Sequence, residues 1–158
     1  FVVANINEDT TRTELDNFIK SMPGNIKLVE VNVKVETDLN DLSEEEKKEF
    51  MEEFGIDESA LSKIIRTGYG LLDLKTFFTS GEKESRAWAA KKYFNAQECS
   101  GIIHTDIQKG FIRAETVSYK DYVDSGSEQA SKANGVWRQE GKEYIVNEGD
   151  VIYFRFNV

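Results

Sequence analysis

Gly68-Tyr69-Gly70, followed by Leu71-Leu72-Asp73-Leu74-Lys75-Thr76-Phe77-Phe78-Thr79-Ser80-Gly81, is where this sequence changes character. The run over Leu71–Thr79 reads as a strand closed by a Ser80-Gly81 turn. Upstream the apolar spacing is mostly helical, and downstream it breaks into short strands and turns. A boundary therefore falls here, giving a first part over residues 1–70 and a second over 71–158. Charge divides at the same place. The first part carries 8 basic and 16 acidic side chains, the second 12 and 13.

Working outward, the first part reads strand, helix, strand, helix, helix. Phe1-Val2-Val3-Ala4-Asn5 is a continuous apolar run, as in a parallel strand covered on both faces. Leu15, Phe18 and Ile19 lie at helical spacing within Thr11–Ser21, and Pro23-Gly24 stops that helix. Lys27–Val35 is expected as a second strand, on its β-branched content. Ser43-Glu44-Glu45-Glu46 has the form of a capping box. It opens an acidic helix expected to bury Phe50, Met51 and Phe54 and to end at Gly55, and Ser59–Arg66 carries Leu61, Ile64 and Ile65 on one stripe. This is half of an α/β layer structure. A parallel strand needs neighbours and only one other is evident, so the sequence reads as starting inside a larger protein.

Past the boundary, Glu84–Lys92 fits either a strand or an alanine-favoured helix. Asn95 is placed to cap a short helix over Ala96–His104, and Gly110 precedes a strand over Phe111–Tyr119. Lys142–Val146 and Val151–Phe156 read as further strands around Asn147-Glu148-Gly149-Asp150. Several short strands around one helix point to a compact α+β unit such as a β-grasp.

The whole chain has 158 residues, 39% hydrophobic and 31% charged, with a formal charge of −9. That balance opposes a protein that coats DNA through global positive charge. No apolar run approaches the ~18 residues of a membrane span, and no segment reads as a signal peptide. A single cysteine, Cys99, and a single histidine, His104, exclude an internal disulfide and a multi-histidine metal centre. The expectation is a cytosolic protein without a metal site of its own.

Two loops could carry recognition chemistry. Asn5-Ile6-Asn7-Glu8 ends the first strand, and ligands of open α/β sheets bind beyond the carboxyl ends of strands. An asparagine amide can both donate to and accept from a purine edge. Plain helix capping would equally explain the segment. Asn32-Val33-Lys34-Val35-Glu36 ends the second strand and could wall the same ligand, or be an ordinary solvated strand end. His104 suits helix-end capping or a bond to Asp106, and a nucleophilic Cys99–His104 pair lacks the arrangement such chemistry requires.

Longer blocks are more specific. Thr76-Phe77-Phe78-Thr79-Ser80-Gly81 with Lys83-Glu84 and Arg86-Ala87-Trp88 is followed by Gly101-Ile102-Ile103-His104-Thr105-Asp106 and Gly110-Phe111-Ile112-Arg113-Ala114-Glu115. Gly126-Ser127, Glu140-Gly141-Lys142, Gly149-Asp150-Val151-Ile152 and Phe154-Arg155-Phe156-Asn157-Val158 complete the pattern. Through these blocks Asn5–Val158 resembles the C-terminal part of the YchF family, Obg-like ATPases of the P-loop NTPase class.

The resemblance implies an α+β chain made of the C-terminal part of an α/β P-loop domain (1–70) and a ubiquitin-like β-grasp, or TGS, domain (71–158). It implies ATP as the nucleotide, with Asn5, Ile6 and Glu8 in the base-recognition loop and Asn32 and Val33 in a second base-side loop. GTPases carry N-K-x-D in the first loop, the aspartate accepting from guanine; here Ile6 replaces the lysine and Glu8 the aspartate. Asn32 and Val33 depart from the small residues usual in the family, and Tyr93 stands where it usually has glycine. No G-x-x-x-x-G-K-[ST] occurs, so the phosphate loop, the Mg²⁺ ligands and the catalytic residues would lie outside this chain, in the N-terminal part of the same nucleotide domain. This chain alone is not expected to hydrolyse ATP.

The TGS likeness implies a ribosome or ribosomal RNA partner and neither DNA nor a membrane. Lys83, Arg86, Lys91 and Lys92, interleaved with Trp88, Tyr93 and Phe94, are the candidates for phosphate contact and base stacking. Alternatively the aromatics are core and the cations a solvated face, or the second part is a non-catalytic β-grasp adaptor.

Overall fold

The structure is a computed structural model that describes residues 1–7, 9–24, 26–81 and 84–157. Two compact units divide the chain, Phe1–Leu71 and Leu72–Val158. In the first, strands β1 (Val2–Asn5) and β2 (Leu28–Val31) run parallel with Asn5 opposite Val31. Helix α1 (Arg12–Ser21) connects them and buries Leu15. A capping box starts it: Glu14 N–H donates to Thr11 Oγ1 at 3.2 Å, and Thr11 N–H donates to the Glu14 carboxylate at 2.9 Å.

The strand expected over 27–35 stops at Val31. The Asn32 side chain accepts from Val35 N–H at 3.2 Å, and Val33–Asn40 forms helix α2. Two physical facts override the β-branched content of Val33 and Val35. The four residues of β1 leave a longer β2 without a parallel partner, and Asn32 satisfies an amide that a helix start would orphan. Helix α3 (Glu44–Glu53) begins with the expected Ser43–Glu46 box. Its apolar side chains form no buried face, however. Phe50 and Phe54 stack at 4.4 Å on the surface, covering one another instead of entering a core.

Helix α4 (Ala60–Leu71) runs through Gly68-Tyr69-Gly70, where the sequence pattern changes. Its first amide donates to the Glu36 carboxylate at 2.5 Å, a cap from outside the helix. Leu61 and Ile65, expected to be packed, are exposed. The buried apolar residues of the unit are Leu15, Val29, Val31 and Leu39.

The second unit is a five-stranded sheet. Strands β3 (Leu74–Ser80), β4 (Ser85–Lys91), β5 (Phe111–Ser118), β6 (Arg138–Glu140) and β7 (Asp150–Phe156) lie in the order β4-β3-β7-β5-β6. The first and last strands are central and parallel, and the flanking pairs are antiparallel. This is the strand order of a β-grasp. Glu84–Lys92 resolves in favour of strand, because sheet pairing with β3 outweighs alanine propensity. Lys142–Val146 is not a strand; a single bridge joins Asn95 and Ile145, and β6 lies earlier at 138–140.

Helices α5 (Ala96–Ile103) and α6 (Thr105–Lys109) cover one face of the sheet. Phe77, Ala90, Ala96, Cys99, Ala114, Val146, Ile152 and Phe154 form the core between them. Helices α7 (Tyr119–Ser125) and α8 (Glu128–Ala133), for which the sequence reading had no expectation, follow β5. Gly110 permits the closest approach in the fold. A Cβ there would lie 1.9 Å from the Asn157 carbonyl oxygen, whose own residue donates to Gly110 O at 2.9 Å.

Lys75 is a charged side chain in a largely apolar interior. It is only 3% exposed. Its ammonium donates to the carbonyls of Lys92 and Phe94 at 2.9 Å each and to that of Val146. Three donors thus meet three carbonyls from irregular chain, groups that burial would otherwise leave unsatisfied. Burial holds the ammonium below its ordinary pKa, while Cys99, Asp150, Glu148 and Glu98 pull the other way. Lys75→Met keeps the apolar stem and orphans the carbonyls, so it should destabilise by about 3 kcal/mol in chemical denaturation. A loss under about 0.5 kcal/mol, typical of surface positions, would contradict this role.

Candidate functional site

The first candidate site lies at the carboxyl ends of β1 and β2. Parallel pairing sets Asn5 beside Val31, and the chain leaves both strands on the same side. Ile6 N–H donates to Val31 O at 2.8 Å, continuing the ladder one residue past the strand. The Asn5 side-chain oxygen accepts from Val33 N–H at 3.2 Å. Two segments 28 residues apart in sequence are therefore joined through the amide of Asn5. Asn5 and Val33 are exposed, and Ile6 and Asn32 are half-buried.

Asn7 closes the loop. Its N–H donates to Thr10 Oγ1 at 3.0 Å, and the Thr10 hydroxyl donates to Asn7 Oδ1 at 2.8 Å. Glu8 lies outside the described residues. Asn32 spends its side-chain oxygen on capping α2 and Glu36 caps α4. So of residues 32–36, it is Val33, through its backbone, that meets the first loop.

The second set of candidates lies on β4. Lys83 falls outside the described residues. Arg86 and Trp88 share the face of the sheet that bears the core, and the guanidinium lies 4.5 Å from the centroid of the indole. Trp88 packs against that core and donates its Nε1–H to Thr79 Oγ1 at 2.9 Å. Lys91 occupies the opposite face, since side chains alternate along a strand. Its ammonium donates to Leu72 O at 2.8 Å. Lys92 and Tyr93 are exposed, and Tyr93 meets Phe94 edge-on at 5.4 Å. Arg86 and Lys91 thus do not form one patch.

A second cationic cluster went unnoticed in the sequence. On the face of the sheet opposite α5, Glu115 accepts from Arg155 at 3.0 and 3.1 Å and from Arg113 at 3.1 Å. The Arg155 hydrogen bond chiefly lowers the Glu115 pKa, burial opposing it. Glu115, Arg155, Arg138, Gln139, Lys132 and Trp137 line a groove of about 330 Å³. The signal was present: two-residue alternation along 111–118 and 150–156 puts Arg113, Glu115 and Arg155 on one face. Glu128 pairs with Lys132, and Glu140 and Asp150 with Arg138, so four acids face these four cations and the groove offers little net charge.

His104 and Cys99 do different things. Cys99 is buried, and burial raises its thiol pKa to about 11. His104 is exposed and sits between α5 and α6, where Nδ1 accepts from Asp106 N–H at 3.1 Å. Among the described residues no group of three or more His, Cys, Asp or Glu is arranged to hold a metal.

The sequence profile of the YchF-GTPase_C family, described as "Protein of unknown function (DUF933)", matches residues 74–157. The chain is 52% identical over 134 residues to the ribosome-binding ATPase YchF of Bacillus subtilis, covering 85% of this chain and 37% of that protein. It is 46% identical over 160 residues to its counterpart in Escherichia coli O157:H7, covering 99% and 44%. Against Obg-like ATPase 1 of Gallus gallus the figures are 50% over 123 residues, 78% and 31%. The chain thus spans less than half the length of each of these relatives. The structure of the Schizosaccharomyces pombe YchF GTPase matches with a TM-score of 0.76 at 32% identity, covering 97% of this chain and 42% of that one. A GTP-binding protein from Pyrococcus horikoshii OT3, at 0.65 and 15% identity, shares the fold alone.

The separation of Cys99 from His104 gives a direct test. A buried thiol with a raised pKa is a poor nucleophile, so native protein at pH 8 should leave Cys99 unalkylated by iodoacetamide, with full labelling after unfolding. Rapid stoichiometric labelling of the folded chain, read by mass spectrometry, would show instead an activated thiol.

Proposed function

The chain belongs to the YchF family, and from that premise we propose that it is the base-recognising and ribosome-contacting part of a cytoplasmic P-loop ATPase. The observation that carries the nucleotide half is the junction of Asn5 with Val33 at the carboxyl ends of two parallel strands. That is where open α/β sheets bind ligands. With its oxygen engaged by Val33 N–H, Asn5 retains Nδ2–H₂ to donate to purine N7. Ile6 would lie against the purine face, and Asn32 and Val33 would form the second wall. Glu8, in place of the guanine-reading aspartate, would withhold guanine's extra hydrogen bonds and so favour ATP.

Phosphates and Mg²⁺ would be held by the remainder of the nucleotide domain, and this chain alone would not hydrolyse ATP. Support for that division comes from the first unit itself. Phe1, Val3, Phe18, Ile19, Leu61 and Ile65 are all exposed, an apolar surface that the rest of an α/β domain would cover. In the second unit, read as a TGS domain, the ribosome or its RNA would be met through Lys83, Arg86, Lys91 and Lys92. The names of the bacterial relatives, ribosome-binding ATPases, support this reading. No described helix is long and apolar enough to cross a membrane.

Two experiments on the full-length protein test this. In calorimetry ATP should bind more tightly than GTP, and equal affinities would remove the role given to Glu8. Asn5→Ala should weaken both nucleotides by about tenfold, the loss of one hydrogen bond of about 1.4 kcal/mol, because N7 is common to both purines. Separately, reversing Lys83, Arg86, Lys91 and Lys92 to glutamate should reduce co-sedimentation with ribosomes and flatten its salt dependence. Unchanged co-sedimentation would move the contact elsewhere.

A further inference from the structure

Strand β4 is the outermost strand of its sheet, and among the described residues nothing pairs with its outer edge. It is seven residues long and pairs with β3 in continuous register from Ser85 to Lys91, without bulge or proline. Natural edge strands of this length are usually interrupted, twisted away or covered.

The register determines which backbone groups face outward. Gly81 N–H donates to Glu84 O at 3.0 Å and Lys92 N–H to Asp73 O at 2.7 Å, closing the hairpin at both ends. Antiparallel pairs alternate between hydrogen-bonded and non-bonded. Arg86, Trp88 and Ala90 therefore bond to β3, while Ser85, Ala87, Ala89 and Lys91 turn their N–H and C=O groups away from it. Thr76, opposite Ala89, provides a check. Its own backbone bonds leave on the far side, to Gly149 N–H at 2.9 Å and to the Glu148 carboxylate at 3.1 Å. Three of the four outward-facing residues are small, and all three are exposed.

Charge selects the kind of strand that would fit. Arg86 stands on one face of β4 and Lys91 on the other, with Lys92 just beyond, so residues 84–92 carry three cations and one acid, Glu84. That split works against a phosphate-binding patch. It suits an added strand, whose side chains also alternate between the two faces. We propose that the edge of β4 takes up an extended acidic segment of a ribosomal protein as a sixth strand, backbone to backbone, with Arg86 and Lys91 pairing acids on opposite faces. The proposal rests on the ribosome-contact reading above and specifies protein, not RNA, as what meets this edge.

Hydrogen exchange on the unaltered full-length protein, free and ribosome-bound, tests it without any substitution. In the free protein the outward amides of residues 84–92 should exchange fast; in the complex, Ala87 and Ala89 should slow by about a hundredfold or more, as paired strand amides do. Ala87→Pro and Ala89→Pro remove one outward donor each while sparing the bonds to β3, a position where proline is tolerated. Each should weaken ribosome binding about tenfold, whereas Ala87→Thr, which keeps the amide, should bind as the unaltered protein does.

Amides that stay fast in the complex overturn the proposal, as do folded proline variants that bind normally. If Arg86→Glu and Lys91→Glu weaken binding while those amides stay fast, side chains alone make the contact; the sixth strand is then lost and the ribosome reading stands. If the full-length protein does not co-sediment at all, both fall.

Discussion

The second unit depends on an ammonium group inside a largely apolar core. Lys75 enters from the central strand β3 and reaches carbonyls on both sides of the α5 segment, at Lys92 and Phe94 before it and at Val146 after it. Those carbonyls belong to chain that is neither helix nor ladder, so no regular partner exists for them. A point charge with three rotatable donors suits three converging acceptors better than any neutral side chain. The cost of desolvating it is offset only because all three donors are used.

A second polar lock sits at Asn147–Asp150. Asp150 is buried and accepts from the Tyr144 hydroxyl at 2.7 Å and from Asn147 N–H at 2.8 Å. Glu148 takes the Thr76 amide, and Gly149, at φ +79°, bonds both Thr76 and Tyr119 through its backbone. Asn147-Glu148-Gly149-Asp150 is thus a set of backbone partners for β3 and for the start of α7. Among its described residues the first unit has no comparable device. Its elements are held by caps, such as Thr11 on α1, Asn32 on α2 and Glu36 on α4, and much of its apolar surface faces outward.

Local chemistry was legible in the sequence wherever one residue acts on its neighbours. Ser43 with Glu46 announces a capping box and Asn95 a helix cap, and both are formed. Period-two runs gave β3, β5 and β7 to within a few residues. Asn5 was legible as a strand-end amide, though not its partner, because the bond to Val33 N–H spans 28 residues. The failures have one cause, tertiary partners that local pattern does not encode. Val33 and Val35 read as strand because their local pattern does not encode the register, in which the short β1 offers no partner past Val31. Glu84–Lys92 stayed ambiguous until β3 supplied a ladder. Lys75 was counted as one polar position in a strand, and its burial needs three carbonyls from 17 to 71 residues away.

Asn5 also limits where base specificity can arise in the proposed nucleotide site. A side-chain oxygen already bonded to Val33 N–H is poorly placed to accept from an adenine 6-amino group as well. What Asn5 then offers a base is a donor, and the atom that takes it, N7, is the same in adenine and guanine. Discrimination must come from groups that address positions 1, 2 and 6 of the ring: the side chain after Asn7 and the backbone of the second loop. That backbone is itself fixed by Asn5, since the N–H of Val33 is committed to it. One amide therefore sets the distance between the two walls without choosing the base. In the proposed site the choice would be left to the walls, and Glu8 in place of an aspartate would be the change most able to make it.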